Sequence, residues 1–242
     1  MGIEAAKDNL DEGAGVVTDA AAIVRFGIGG ALRFLSHAET VRVFERACAR
    51  AALPVKYTQG FNPHARLSLP LPRAVGVASD DERLILRLFD AQGFPLSESV
   101  QPERLAWEKQ TAERLSRVLP DAIVVHSVSL TKSSAAHYPE SAQYVLSLRA
   151  GAEQGLEARM NELMAREDVI LERLKPGRRV ARSVDVRPFL KAMRLQCDQA
   201  IVECAISNAG SIRVDEILTL LELELTDLAG PIRRVHTTWK TN

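Results

Sequence analysis

The hydrophobic positions of the chain switch between a period of two and a period of three to four, and each switch marks an element. An apolar stretch over 21–27 predicts a strand. The Gly29-Gly30 pair can supply the positive φ angles of a tight hairpin turn, so 31–35 is expected to be the returning strand. Ser36 then opens a helix, because Glu39 three residues later completes an S-x-x-E capping box. In that helix Val41, Phe44, Cys48 and Ala51 recur at helical spacing and mark the buried side. Arg42, Arg46 and Arg50 lie four apart and form a stripe on another side. Pro54 closes the helical region. After it, 55–59 reads as a short strand, 60–73 as a proline-rich loop and 84–89 as a strand. A helix over 101–118 carries Leu105, Ala112, Leu115 and Val118 on its apolar side, and a strand over 123–130 follows.

The second half repeats this order without repeating the sequence. Strand 143–149 precedes helix 153–165, whose apolar side is Leu156, Met160, Leu163 and Met164. Strands fit 169–174, 182–186, 190–196 and 200–207, then a helix at 213–222 and a last strand at 232–238. A polar segment at 131–140, with Ser133-Ser134 and Pro139, separates the halves. Setting the hairpin aside, the predicted fold is α+β, two ferredoxin-like βαββαβ halves in tandem. The expected division is a disordered lead-in over 1–20, one domain over 21–135 and a second over 136–242.

Charge adds a polarity to this plan. The chain carries 31 basic and 31 acidic residues, yet 23–73 holds eight Arg and Lys against only Glu39 and Glu45. A basic face on a neutral chain favours anionic partners such as nucleic acid. A second basic cluster runs through 172–194 and includes Arg173, Arg178, Arg179, Arg182 and Arg187, with Asp185 expected to pair with an Arg or cap a turn. With 24 Arg and 7 Lys, a GC-rich genome alone can account for part of the arginine count. Three cysteines without a C-x-x-C pair argue against a disulfide framework or closed zinc site, fit a reducing cytoplasm, and read as small core residues. The first 20 residues lack the basic and apolar regions of a secretory signal, and no apolar run is long enough to span a bilayer, so a soluble protein is expected.

No P-loop, G-x-G-x-x-G or H-E-x-x-H motif occurs, which disfavours ATP-driven, dinucleotide and zinc-protease chemistry, and neither cofactor nor metal is expected. An aromatic content of 5% argues against a broad stacking platform for single strands. His37 falls in the first turn of a helix, beside N–H groups that favour anions. His64 follows Asn62-Pro63 in a turn, where Phe61 either anchors the loop or stacks on a base. If the chain is an enzyme, His37 and His64 are the available acid/base pair. The expected nucleic-acid contacts are Arg33, His37, Arg42, Arg46, Phe61, Asn62, His64, Arg66, Arg178, Arg179, Arg182 and Arg187.

Two motifs carry a family resemblance. F-L-S-H at 34–37, followed by G-F-N-P-H-A-R-L-S-L-P-L-P at 60–72, resembles the radical SAM-linked proteins, with a weaker continuation in R-S-V-D-V-R-P-F-L at 182–190. Ala38-Glu39 departs from the Leu-Asp that the family often has there. Such proteins occur beside or fused to radical SAM enzymes, and some are fused to E/G-type ribonucleases. This chain has no C-x-x-x-C-x-x-C motif and cannot itself be the radical SAM enzyme. The duplicated plan is also similar in architecture to the RNA-processing RAMP proteins. The family is a domain of unknown function. Its fusions, taken with the two basic clusters and the duplicated plan, lead to the expectation of an accessory protein that binds or presents structured RNA to a radical SAM or ribonuclease partner. Two alternatives remain: a metal-independent endoribonuclease or RNA-modifying enzyme using His37 and His64, and a protein–protein adaptor.

Overall fold

Alternating small and branched residues make β1 (Val16–Ile28), and both of its edges are taken. β3 (Ala78–Pro95) pairs antiparallel on one side and β4 (Ile123–Lys132) antiparallel on the other. The computed structural model describes residues 16–97, 100–132, 137–174 and 181–241. Among these, the chain forms one mixed sheet of nine strands, a separate two-stranded ribbon and four α-helices, an α+β arrangement.

The main sheet runs β10-β9-β5-β11-β3-β1-β4, from β10 (Gly210–Ser211) and β9 (Gln199–Ser207) through β5 (His137–Ser147) and β11 (Arg233–Thr241) to β4. β2 (Leu67–Ser68) pairs with β3, and β8 (Leu190–Gln196) pairs with β9. The strand sets of the two halves join at one parallel contact, where Arg233 and Arg234 of β11 lie opposite Ala78 and Ser79 of β3.

Two apolar clusters sit under the helices. α1 (His37–Arg50) and α2 (Gln101–Val118) bring Phe44, Cys48 and Leu115 onto Val24 and Phe26 of β1 and Leu84, Leu86 and Leu88 of β3. α3 (Leu156–Ala165) and α4 (Val214–Leu221) bring Leu156, Met160, Ile217 and Leu221 onto Leu146 of β5 and Val202 of β9. Burying side chains of this size contributes about 1.5–3 kcal/mol each, so these two clusters are the main attractive contribution to the fold.

Several expectations change. Residues 31–35 form no strand: Gly30–Phe34 is a turn of 3-10 helix. A hairpin partner there has no edge to pair with, because β3 and β4 already flank β1, and the Gly29 N–H donates to Ala122 O instead. The expected lead-in is shorter, since Val16–Ala20 belong to β1 and Ala20 is buried; residues 1–15 lie outside the described residues. The strand expected over 55–59 reduces to two bridges, Val55 to Leu88 and Tyr57 to Ala65. The strand expected over 84–89 extends at both ends. Its first residues are polar, and each acid there meets a cation or an N–H group from a neighbouring strand. β6 (Ile170–Leu174) and β7 (Ala181–Asp185) pair only with each other, off the main sheet.

The polar start of β3 locks the halves together. Arg234 is 1% exposed and its Nε donates to Glu82 Oε1 at 3.0 Å, while its Nη2 donates to Leu71 O at 3.1 Å. Burial works to lower the Arg234 pKa, but Glu82 and the Tyr144 hydroxyl outweigh it and hold the guanidinium charged. Asp81 accepts from Arg25 Nη2 at 3.1 Å and from the Thr237 N–H at 3.3 Å, and Arg233 pairs with Asp80.

Candidate nucleic-acid interface

Strand alternation divides β3 between two faces. Glu82, Leu84, Leu86 and Leu88 face the helices, so Asp81, Arg83, Ile85, Arg87 and Phe89 face the other way. The register carries neighbours onto that second face. Arg25 lies opposite Arg83, and Asp19 lies opposite Phe89. Lys56 and Arg66 flank Arg87: the Lys56 N–H donates to Arg87 O at 2.7 Å and the Arg87 N–H to Arg66 O at 2.9 Å. Lys56 Nζ pairs with Asp19 Oδ2 at 2.7 Å and stands 5.7 Å from the centre of the half-exposed Phe89 ring. The open sheet face of the N-terminal half therefore carries Lys56, Arg66, Arg83 and Arg87 beside one aromatic ring.

A ribbon projects from this face. Tyr57 and Ala65 form an antiparallel bridge, the Thr58 N–H donates to His64 O at 2.8 Å, and the His64 N–H donates to Thr58 Oγ1 at 2.9 Å. These bonds hold residues 58–64 as a closed loop. Gly60 turns it with φ of 131°, a conformation that side chains disfavour. Phe61 follows at the tip and is fully exposed, with Asn62 and His64 also in solvent. Phe61 is thus not the anchor of its loop; the Thr58–His64 bonds do that work.

The other end of the open face is covered by the C-terminal half. Trp239 of β11 lies 4.8 Å from the Arg83 guanidinium, and His137 of β5 is buried close by. Burial lowers the His137 pKa, and Arg83 and Arg87 lower it further. Burial also lowers that of Arg83, with Asp81 opposing. Arg83 Nε and Arg87 Nη1 donate to no group among the described residues.

The remaining residues fall elsewhere. Arg42, Arg46 and Arg50 are exposed on α1, whose Phe44 and Cys48 face the sheet. Their stripe consequently lies on the outer side of the helix layer, away from Lys56 and Arg66. Ser36 caps this helix: its Oγ accepts the Glu39 N–H at 3.2 Å, and Glu39 Oε2 accepts the Ser36 N–H at 2.8 Å. Hydrogen bonds donated to it by the Ser36 N–H and hydroxyl hold the Glu39 carboxyl below the usual range. His37 borders a crevice of about 10 Å3 with Thr40, Arg73 and Glu82, room for one water at most. No hydrogen bond or shared cavity joins His37 to His64 among the described residues. Arg33 donates to Gly30 O at 2.7 Å and lies over the Phe34 ring.

Two arginines of the second basic cluster make structural contacts. Arg187 donates to Arg166 O, Leu190 O and Met164 O at 2.7–3.1 Å. Arg173 grips Glu216 through two bonds of 2.6 and 2.8 Å and reaches Ser211 O. Asp185 caps a turn by accepting the Val169 and Arg187 N–H groups, both at 2.9 Å, which gives the D-V-R-P string a physical role. Arg182 is exposed on β7, and Arg178 and Arg179 lie outside the described residues. Lys56, Arg87 and Phe89, which lie beside Arg66 on this face, were not among the expected contacts. The period-two spacing of Arg83, Arg87 and Phe89 was the available signal, but only the sheet register brings Lys56 to them.

No helix of the described residues is long and apolar enough to cross a membrane, and no cluster of His, Cys, Asp or Glu among them could hold a metal ion. Residues 22–215 match the model of DUF2344, described as an uncharacterized protein conserved in bacteria. No curated protein matches the chain.

Proposed function

We propose a reading from one premise: the chain belongs to the DUF2344 family. It is a non-catalytic, cytoplasmic accessory protein that binds structured RNA through the open sheet face and projecting ribbon of its N-terminal half. The observation that carries this reading is Phe61, a large aromatic held in water at the tip of a hydrogen-bonded ribbon between Lys56 and Arg66. A base can stack on such a ring while the flanking cations take phosphates.

The finer architecture belongs to the same proposal. Each half is a ferredoxin-like unit, over 21–135 and 136–242. The orders β4-β1-β3-β2 and β11-β5-β9-β8 support this, each a βαββαβ unit with its second strand at one edge and its fourth at the other. The β6-β7 ribbon is then an insertion of the second unit. The protein delivers its RNA to a partner enzyme of the radical SAM or E/G-type ribonuclease class.

The test is fluorescence anisotropy of labelled tRNA and single-stranded RNA at two salt concentrations, with each reaction run on a denaturing gel. Binding should weaken steeply with salt, and Phe61→Ala should cost ~1–3 kcal/mol of affinity. Lys56→Glu with Arg66→Glu should abolish binding, whereas Arg42→Glu with Arg46→Glu on the far side should leave most of it. Equal losses from both pairs would remove the sheet face from the proposal. Cleaved RNA that depends on His37 or His64 would replace it with the nuclease reading.

A further inference from the structure

Where the halves meet, residues 33–34 and 74–77 face α4, Leu225 and residues 228–232 across a cleft of about 680 Å3. A second cavity of about 290 Å3 continues from it past Ala74, Val214 and Asp215, which line both. Clefts of roughly 300–1,000 Å3 at domain junctions are the usual setting of small-ligand sites. The walls are apolar and open to water: Phe34 is 56% exposed, Val75 61% and Leu225 72%, with Leu218 between them on α4. Large apolar side chains left uncovered along a concave surface mark a place where something binds.

The polar groups of the cleft select its sign of charge. Arg33 lies with its guanidinium 4.3 Å from the Phe34 ring centre, making one flat platform of ring and cation. Its Nη1 is fixed by Gly30 O at 2.7 Å, and Arg149 Nε is fixed by Leu228 O at 3.0 Å. Neither arginine forms an ion pair among the described residues. Each guanidinium is thus held in position while its other N–H donors stay available for an oxyanion. Asp215 is the one acid of the lining. A nucleotide base fits poorly, since its edge needs several matched donors and acceptors and these walls offer few.

We propose that the cleft binds a small planar apolar acid, an aromatic group bearing one carboxylate or equivalent oxyanion. The flat group lies along Phe34, Val75 and Leu218, and the oxyanion is taken by Arg149 with Arg33 beside it. This site is separate from the sheet face, and it stands or falls independently of RNA binding.

The experiment titrates the purified chain with 1-anilinonaphthalene-8-sulfonate and then displaces the dye with 2-naphthoate, its neutral counterpart 2-naphthylmethanol, or a nucleoside monophosphate. Saturable one-site binding is expected, with 2-naphthoate displacing the dye at about tenfold lower concentration than the alcohol. Arg149→Gln should erase that preference, and Asp215→Asn should strengthen 2-naphthoate binding. Val75→Trp fills the mouth from an exposed position and should abolish binding, with the thermal melt unchanged. Equal displacement by acid and alcohol overturns the proposal, as does better displacement by the nucleotide. Undiminished dye binding to the Val75→Trp variant overturns it too.

Discussion

Among single residues, Arg234 has the largest consequence. It is buried with Glu82 as its carboxylate, so removing it strands a charge in the interior. Arg234→Met should lower stability by ~3–5 kcal/mol in urea unfolding, while the double change Arg234→Met, Glu82→Leu should regain most of that. A double variant as weak as the single one would mean that packing, not the unpaired carboxylate, sets the loss. Cysteine reactivity offers a second residue-level check. Burial pushes the Cys48 and Cys204 thiols up to about 12 each, whereas Cys197 is exposed in the turn between β8 and β9. A thiol reagent at pH 8 should therefore modify one cysteine per folded chain, and none in Cys197→Ser. All three were expected to be small core residues; for Cys197 that was wrong. Its neighbours Gln196 and Asp198 are polar, and Cys197 sits in the tight turn between β8 and β9 with φ of 54°, which turns it outward.

Within elements, caps and turns do most of the positioning. Ser36→Ala removes the α1 cap and should cost ~1 kcal/mol, read as a shifted denaturation midpoint. The turn after β7 depends on Asp185, whose carboxyl is held below its ordinary range by the Val169 and Arg187 N–H groups. A lowered folded pKa stabilises above the unfolded value of about 4, and that contribution disappears as pH falls through the folded pKa. The stability gap between wild type and Asp185→Asn should accordingly be constant from pH 7 to about 5 and close at lower pH. Glu216 behaves alike: burial works to raise it, but the Arg173 hydrogen bonds and the Arg213 N–H prevail. A gap that widens on acidification would contradict this assignment. The capping box of α1 and the extent of α2 were legible from local spacing, because caps and helical periods act over three or four residues. The 3-10 turn at Gly30–Phe34 was not legible, since its cause is the occupation of both β1 edges by distant strands.

For the whole molecule, the contact between β3 and β11 makes the two halves interdependent. Trp107 packs against Phe94 inside the first apolar cluster, and Trp239 covers Arg83 at the crossing of the halves. Fluorescence of Trp107→Phe and of Trp239→Phe should each report one unfolding transition, coincident with the loss of secondary structure. Separate midpoints for the two probes would mean that the halves unfold independently. The sequence by itself determined the four helices and most of the strands, from hydrophobic period, caps and proline positions, and it determined that basic charge gathers between residues 23 and 73. Only the tertiary structure decided which cations are engaged in structural contacts and which share the sheet face. Arg187 is consumed by three carbonyls and Arg173 by Glu216, while Lys56, Arg66 and Arg87 meet on one open face. The physical reason is range. A cap or a helical stripe is fixed by neighbours a few residues away, but Arg234 finds Glu82 across a separation of 152 residues, and no local pattern encodes such a pairing.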